Sequence, residues 1–236
     1  MKEIFNESYR EYNEYMSTVL PDFWEGFSYK TRRQQCESLI NSLNERFNFN
    51  RLITIETGTS QNPKGDGAFG IFLGFATEKT NGIMMSVDIN DDYLKKSNEL
   101  FSSVIPKLKY ETYKDDSVHF LKNVEIIPNL VHLDSWDLDL KNPLPSALHG
   151  WNEFVAIESK MLSGSIIVID DNYIKGQWVE WIYGDGRPSE KIDIVYPILG
   201  KGAHIYQHVL SGNSDWELIG EHHKNLGNIK IIIQKK

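Results

Sequence analysis

Ile166-Ile167-Val168-Ile169 is a run of four β-branched residues leading directly into Asp170-Asp171-Asn172. A strand has two faces, so four consecutive apolar side chains place two on each. Both faces then have to be covered, which is the situation of an inner strand flanked by helices on both sides. Leu52–Ile55, Gly82–Asp88 and Leu130–Leu133 read the same way, and Lys109–Tyr113 is a further strand. Between them lie segments with helical spacing: Ala68–Thr77, Asp91–Ser103 with Asp91 or Asp92 near its cap, Ser117–Lys122, and Ala147–Leu162 ending at Gly164. Strands alternating with helices predict a parallel sheet wrapped on both faces.

The two ends of the chain differ from this pattern. Glu3–Val19 and Thr31–Phe47 are helical, with Pro21 between them and Leu39, Ile40, Leu43 and Phe47 along one face of the second. Trp216–Glu221 and Ile229–Gln234 are joined by a connection short enough for an antiparallel pair. The stretch 173–200 is the least regular and reads as a long loop, a lid in which Trp178, Trp181 and Tyr183 stack on substrate. The expected architecture is therefore α/β: a Rossmann-like, mostly parallel seven-stranded sheet with an antiparallel C-terminal strand over 51–236, and an N-terminal helical cap over 1–50 that covers the mouth.

Acids outnumber bases by 33 to 25, for a net charge of −8, which argues against a protein that coats a nucleic-acid backbone. No apolar stretch approaches the roughly 18 residues of a membrane span, and the first residues lack the pattern of a secretory leader. One cysteine, Cys36, allows no internal disulfide and reads as core. These features lead us to expect a cytoplasmic protein that acts on a small molecule, with no nucleic-acid or membrane partner, and are compatible with a homo-oligomer.

The first strand runs into Glu56-Thr57-Gly58-Thr59-Ser60, and the second ends in Asp88. Ligands of open α/β sheets bind at the carboxyl ends of the strands. Gly58 lets backbone approach a ligand closely, and an acid at Asp88 suits a ribose diol. Glu56-x-Gly58 followed by Ser86-Val87-Asp88 resembles the class I S-adenosylmethionine-dependent methyltransferases. The resemblance spans roughly 52–172 and implies that Glu56, Thr57, Gly58 and Thr59 form the turn facing the methionine moiety. It implies that Asp88 holds the ribose and that Asp116 and Ser117, in Asp115-Asp116-Ser117, lie beside the adenine. The segment Gln61–Gly67 is an insertion relative to that family. Gly65-Asp66-Gly67-Ala68-Phe69-Gly70 also fits the G-x-G-x-x-G string of nicotinamide-binding domains, though it lies too far beyond Gly58.

A second group of acids follows the later strands: Asp134, with Trp136, Asp137 and Asp139 close behind, and Asp170-Asp171-Asn172. Adjacent parallel strands would gather these oxygens at one sheet edge, a set that suits Mg²⁺. Such an ion lowers the pKa of a hydroxyl and orients it for attack. Leu133-Asp134-x-Trp136 and Asp171-Asn172 resemble the metal-binding pieces of catechol-type O-methyltransferases, and Asp170-Asp171 resembles the acid pair of macrolide-sugar O-methyltransferases. The resemblance implies Asp134, Asp171 and Asn172 as Mg²⁺ ligands, with Asp134 also catalytic. Asp137 stands where the catechol-type enzymes have a catalytic lysine, and reads as a general base toward an aliphatic hydroxyl.

Other features carry less. His204 and His208 are spaced i, i+4, His132 lies just before the acids, and His222-His223 fall in a turn. Tyr9, Tyr12, Tyr15, Phe23 and Trp24 form an aromatic set that packs or walls the substrate. Lys30, Arg32 and Arg33 are a basic cluster that is either solvated or meets a phosphate. The function expected is S-adenosylmethionine-dependent O-methylation of a small-molecule hydroxyl assisted by Mg²⁺. Metal-free methylation of another nucleophile and a non-catalytic cofactor-binding scaffold are the competing readings.

Overall fold

Helix and strand follow one another as the alternating pattern predicts. The chain begins with α1 (Lys2–Val19) and α2 (Phe27–Ser42), then β1 (Ile53–Thr57), α3 (Ala68–Lys79), β2 (Ile83–Asp88), α4 (Asp91–Val104), β3 (Lys109–Lys114), α5 (Ser117–Asn123), β4 (Leu130–Leu133) and α6 (Leu144–Ile157). It continues with β5 (Ile166–Ile174), β6 (Trp178–Trp181), β7 (Glu190–Asp193), β8 (Ile198–Gly200), α7 (Ala203–Leu210), β9 (Trp216–Leu218) and β10 (Ile229–Lys235). The computed structural model describes residues 1–20, 27–63, 68–181, 189–220 and 228–236.

The main sheet has the order β3-β2-β1-β4-β5-β10-β9, with β8 paired to the far end of β5. The strands from β3 through β5 run parallel, and β10 is antiparallel to both β5 and β9. Strand order reverses between β1 and β4, and a doubly wound sheet opens its ligand crevice at such a point. Side chains alternate as the apolar runs require. Ile166 and Val168 join the cluster under α1, α2 and α3, while Ile167 and Ile169 join the cluster under α5, α6 and α7. The first cluster is dense in rings: Phe72 lies edge-on to Phe5 at 5.8 Å and to Phe69 at 5.8 Å.

Several expectations are revised. Within the N-terminal segment, α1 packs as a layer of the fold, with Phe5, Tyr12 and Met16 buried against α3, while α2 brings Arg32 to the crevice. The second helix starts and stops earlier than its apolar periodicity suggested, and Phe47 reaches the core from the following segment. Asn90, not Asp91 or Asp92, caps α4, its side chain accepting from the backbone N–H of Asp92 at 2.9 Å. Among its described residues, the stretch expected to be a loop is mostly strand: β5 continues to Ile174, β6 and β7 form an antiparallel pair, and β8 returns to β5. Short strands whose faces are both half-exposed carry no apolar run, so periodicity misses them. Pro21, Phe23, Trp24, Gly65, Gly67, Tyr183, His222 and His223 lie outside the described residues.

Candidate active site

The crevice at the β1/β4 reversal is a cavity of about 360 Å³, within the usual size of small-ligand sites. Gly58, Thr59, Asp88, Asn90, Asp115, Asp116, Ser117, Asp134 and Asp171 are among its lining residues. Gly58 adopts φ +70, and its N–H donates to the Val87 carbonyl at 3.0 Å. A methyl group at this position would lie 2.6 Å from the carbonyl oxygen of Asp134, so the turn after β1 presses directly on the end of β4. Asp88 accepts from the backbone N–H of Asn90 at 2.8 Å and of Thr59 at 3.3 Å, which aims its carboxylate across the turn.

Two of the turn residues act from behind the wall. Glu56 is 1% exposed and outside the cavity lining. It accepts from Ser60 Oγ at 2.8 Å, Ser60 N–H at 3.3 Å and Ser86 Oγ at 3.0 Å. Thr57 holds the end of β4, its Oγ1 accepting from Asp134 N–H at 3.2 Å. Adjacent strand residues face opposite sides of the sheet, so Glu56 turns toward Ser60 and Ser86 while Thr57 turns toward the end of β4. Asp116 lines the cavity while capping α5, accepting from His119 N–H at 2.9 Å. Ser117 Oγ shares a hydrogen bond with His149 Nε2 at 3.0 Å.

The register places a polar belt across the interior at the crevice floor. Glu56 stands beside Ser86 on β2 and His132 on β4. His132 Nδ1 is 3.4 Å from Glu56, and its Nε2 is 3.7 Å from Asp170. Lys230, buried on β10, pairs with Asp170, and Arg32 approaches the same carboxylate at 4.0 Å. Burial pushes the Asp170 carboxyl up, but Lys230, with His132 and Arg32 behind it, holds it well below the usual carboxylate range. Burial and Lys230 push the His132 imidazole down, but hydrogen bonds to Asp170 and Glu56 outweigh them and raise it.

Among the described residues, His132, Asp134 and Asp170 approach closely enough to share a metal ion, a different set from the Asp134, Asp171 and Asn172 expected. Neither set fits a divalent cation. Lys201 Nζ lies 2.8 Å from Asp134 and 2.8 Å from Asp171, and Lys230 neutralises Asp170. The Asn172 amide is spent on backbone: Nδ2 donates to the carbonyls of Ile169 and Asp170, and Oδ1 accepts from Gly202 N–H at 2.7 Å. Asp137 is exposed on the rim, so the closed pocket that would tune a base surrounds Asp134 instead. Burial pushes Asp134 up to about 6 against the pull of Lys201.

Sequence reading passed over Lys201, Lys230, His149 and Glu153. His149 lines the cavity with its ring stacked on Trp136 at 5.2 Å, and Glu153 is fully buried one turn behind it, accepting from Ser135 Oγ at 2.6 Å. Burial lowers the His149 imidazole, but Glu153 more than offsets it, so it is raised. The signals available were the i, i+4 spacing of His149 and Glu153 and the Gly200-Lys201-Gly202 triplet. His208 packs edge-on against Trp151 at 5.3 Å.

No family model and no curated protein matches the chain. Among solved structures, a protein assigned as an rRNA-methylase from Clostridium thermocellum superposes with a TM-score of 0.50 over 84% of this chain and 95% of that one, at 14% identity. This chain shares that protein's Rossmann-like α/β fold. An rRNA methylase from Streptococcus thermophilus gives a TM-score of 0.47 at 11% identity over 78% of this chain and 87% of that one. A methyltransferase-assigned protein from Streptococcus mutans, solved in complex with SAH, gives 0.49 at 12% identity over 79% and 90%.

Proposed function

We propose that this methyltransferase-fold protein binds S-adenosylmethionine in the β1/β4 crevice and methylates a hydroxyl of a small molecule. The observation that carries the reading is convergence: Gly58, Asp88 and the Asp116-Ser117 pair come from three separate segments and line one cavity that also contains a half-buried acid, Asp134. Asp88 suits the ribose diol, the Gly58 turn admits the methionine end, and Ser117 with His149 and Trp136 suits the adenine. Bound there, S-adenosylmethionine supplies an electrophilic methyl group. Asp134, ionised above about pH 6, accepts the proton of the acceptor hydroxyl as its oxygen attacks. Lys201 keeps that carboxylate in place, and positioning supplies much of the rate of an in-line displacement.

The nature of the lining favours the acceptor class. Asp134, Asp170 and Asp171 are paired with Lys201 and Lys230, but Asp88, Asp115, Asp116 and Asp137 also face the cavity and leave its mouth acidic, with Arg32 as a basic counterpart in the lining. Such a mouth repels a phosphate backbone, which supports a neutral or amine-bearing small molecule over an RNA strand. Calorimetric titration with S-adenosylhomocysteine tests the cofactor: one site is expected, weakened at least about tenfold in Asp88→Ala by loss of charge-assisted hydrogen bonds worth roughly 1.5–3 kcal/mol. Absence of binding to the wild-type protein refutes the reading. Labelled-methyl transfer to small hydroxyl compounds and to RNA, run side by side, then separates the acceptor classes.

A further inference from the structure

The segment Gly200-Lys201-Gly202 delivers an ammonium to the place where the acids after β4 and β5 converge. The backbone around it is tightly fitted. Gly200 has φ +130, and a methyl group there would lie 2.0 Å from the Asp171 carbonyl oxygen. The Lys201 carbonyl packs against Gly150 of α6, where an added methyl would approach it to 2.5 Å. Gly202 N–H is fixed by Asn172 Oδ1 at 2.7 Å. From that anchor the side chain, 2% exposed, reaches Asp134 Oδ1 and Asp171 Oδ2, each at 2.8 Å.

The two acids are themselves held. Asp134 N–H donates to Thr57 carbonyl oxygen at 3.0 Å. Asp171 sits at φ +52, a conformation L-residues with a Cβ seldom adopt, and its other oxygen accepts from Asn228 Nδ2 at 2.6 Å. Positive-φ residues held by their surroundings concentrate at functional sites.

Charge counting leads to the same point. Four carboxylates, Glu56, Asp134, Asp170 and Asp171, meet Lys201, Lys230 and Arg32, with His132 between Glu56 and Asp170. The cluster is close to neutral without any added ion. A hard cation would need oxygens at roughly 2.0–2.6 Å in a position the ammonium already occupies, and would be repelled by it.

We propose that Lys201 is a positioning residue, a built-in cation that clamps Asp134 and Asp171 across the crevice and takes the place of a divalent metal. The proposal shares the site of the function proposed above, and rests on that reading only for what the clamped acids act upon. Replacing the lysine by a neutral residue of similar length leaves Asp134 and Asp171 as an uncompensated pair of carboxylates beside the Lys230-paired Asp170. The protein should then acquire a divalent site.

The experiment is titration of the full chain with Mn²⁺, followed by electron paramagnetic resonance of the free ion, without cofactor or acceptor. Wild type and Lys201→Arg are expected to bind no Mn²⁺ in the crevice at millimolar concentration. Lys201→Met is expected to gain one site at least tenfold tighter than any wild-type binding, and Lys201→Met/Asp134→Asn to lose it again. One-site Mn²⁺ binding by the wild type that Asp134→Asn abolishes overturns the proposal. So does a Lys201→Met protein that keeps its circular dichroism spectrum yet gains no site. Should Lys201→Met fail to fold, the wild-type and Asp134→Asn titrations decide alone. Because no cofactor is present, failure of S-adenosylmethionine binding leaves these outcomes unaffected.

Discussion

Gly58→Ala tests the junction on which the crevice depends. The substitution meets two costs. The first is conformational: at φ +70 an L-residue with a Cβ loses about 1 kcal/mol relative to glycine. The second is steric. The new methyl would lie 2.6 Å from the carbonyl oxygen and 2.9 Å from the carbonyl carbon of Asp134, backbone atoms fixed by β4 pairing. Overlap of that kind in a packed interior costs about 2 kcal/mol. The sum, about 3 kcal/mol, corresponds to a fall in Tm of roughly 6–12 °C for a chain of this size. Gly212→Ala is the internal control, because Gly212 has φ +79 but no atom within 4 Å of the added methyl. It carries the conformational cost alone, and any gain from restricting the unfolded chain cancels between the two variants. Urea denaturation of both should show Gly58→Ala less stable than Gly212→Ala by about 2 kcal/mol at unchanged m-value, with S-adenosylhomocysteine affinity reduced only in the former. Equal destabilisation of the two variants would refute the close approach of the β1 turn to β4.

Two further outcomes follow from the desolvated acids Asp134 and Glu153. Asp134, pushed by burial up to about 6 from an ordinary 3.8, keeps its proton in the folded state at pH values where the unfolded chain has released it. Its contribution to stability is therefore largest below pH 4 and declines by about 3 kcal/mol as pH rises through 6. Comparing pH–stability profiles from chemical denaturation, Asp134→Asn should lack that decline, and a profile parallel to wild type would contradict desolvation of the carboxyl. Glu153→Gln removes the carboxylate that raises His149, leaving burial to push the imidazole down. Proton NMR titration should find His149 ionising at lower pH in the variant, and an unmoved midpoint would show that Glu153 does not govern it.

The sequence was most informative where one residue's neighbours along the chain decide its fate. The run Ile166–Ile169 dictates burial on both faces of its strand, because side chains alternate whatever the surroundings. Gly58 and Asp88 were legible because strand ends in an alternating α/β chain converge, and the structure lines one cavity with both. The opposite limit is Glu56, whose neighbours in the chain suggest a cofactor contact. Only the register of β1 against β2 and β4 turns it inward to Ser86 and His132. The acids after β4 and β5 show the same division. Their gathering follows from parallel neighbours, but what neutralises them comes from Lys201 and Lys230, on segments distant in the chain. A row of oxygen ligands reads alike in sequence whether a metal or an ammonium stands among them. Which one does is decided by a glycine-flanked turn packed against α6 and by a bulged antiparallel strand, because position in space, not spacing along the chain, sets the Coulomb energy.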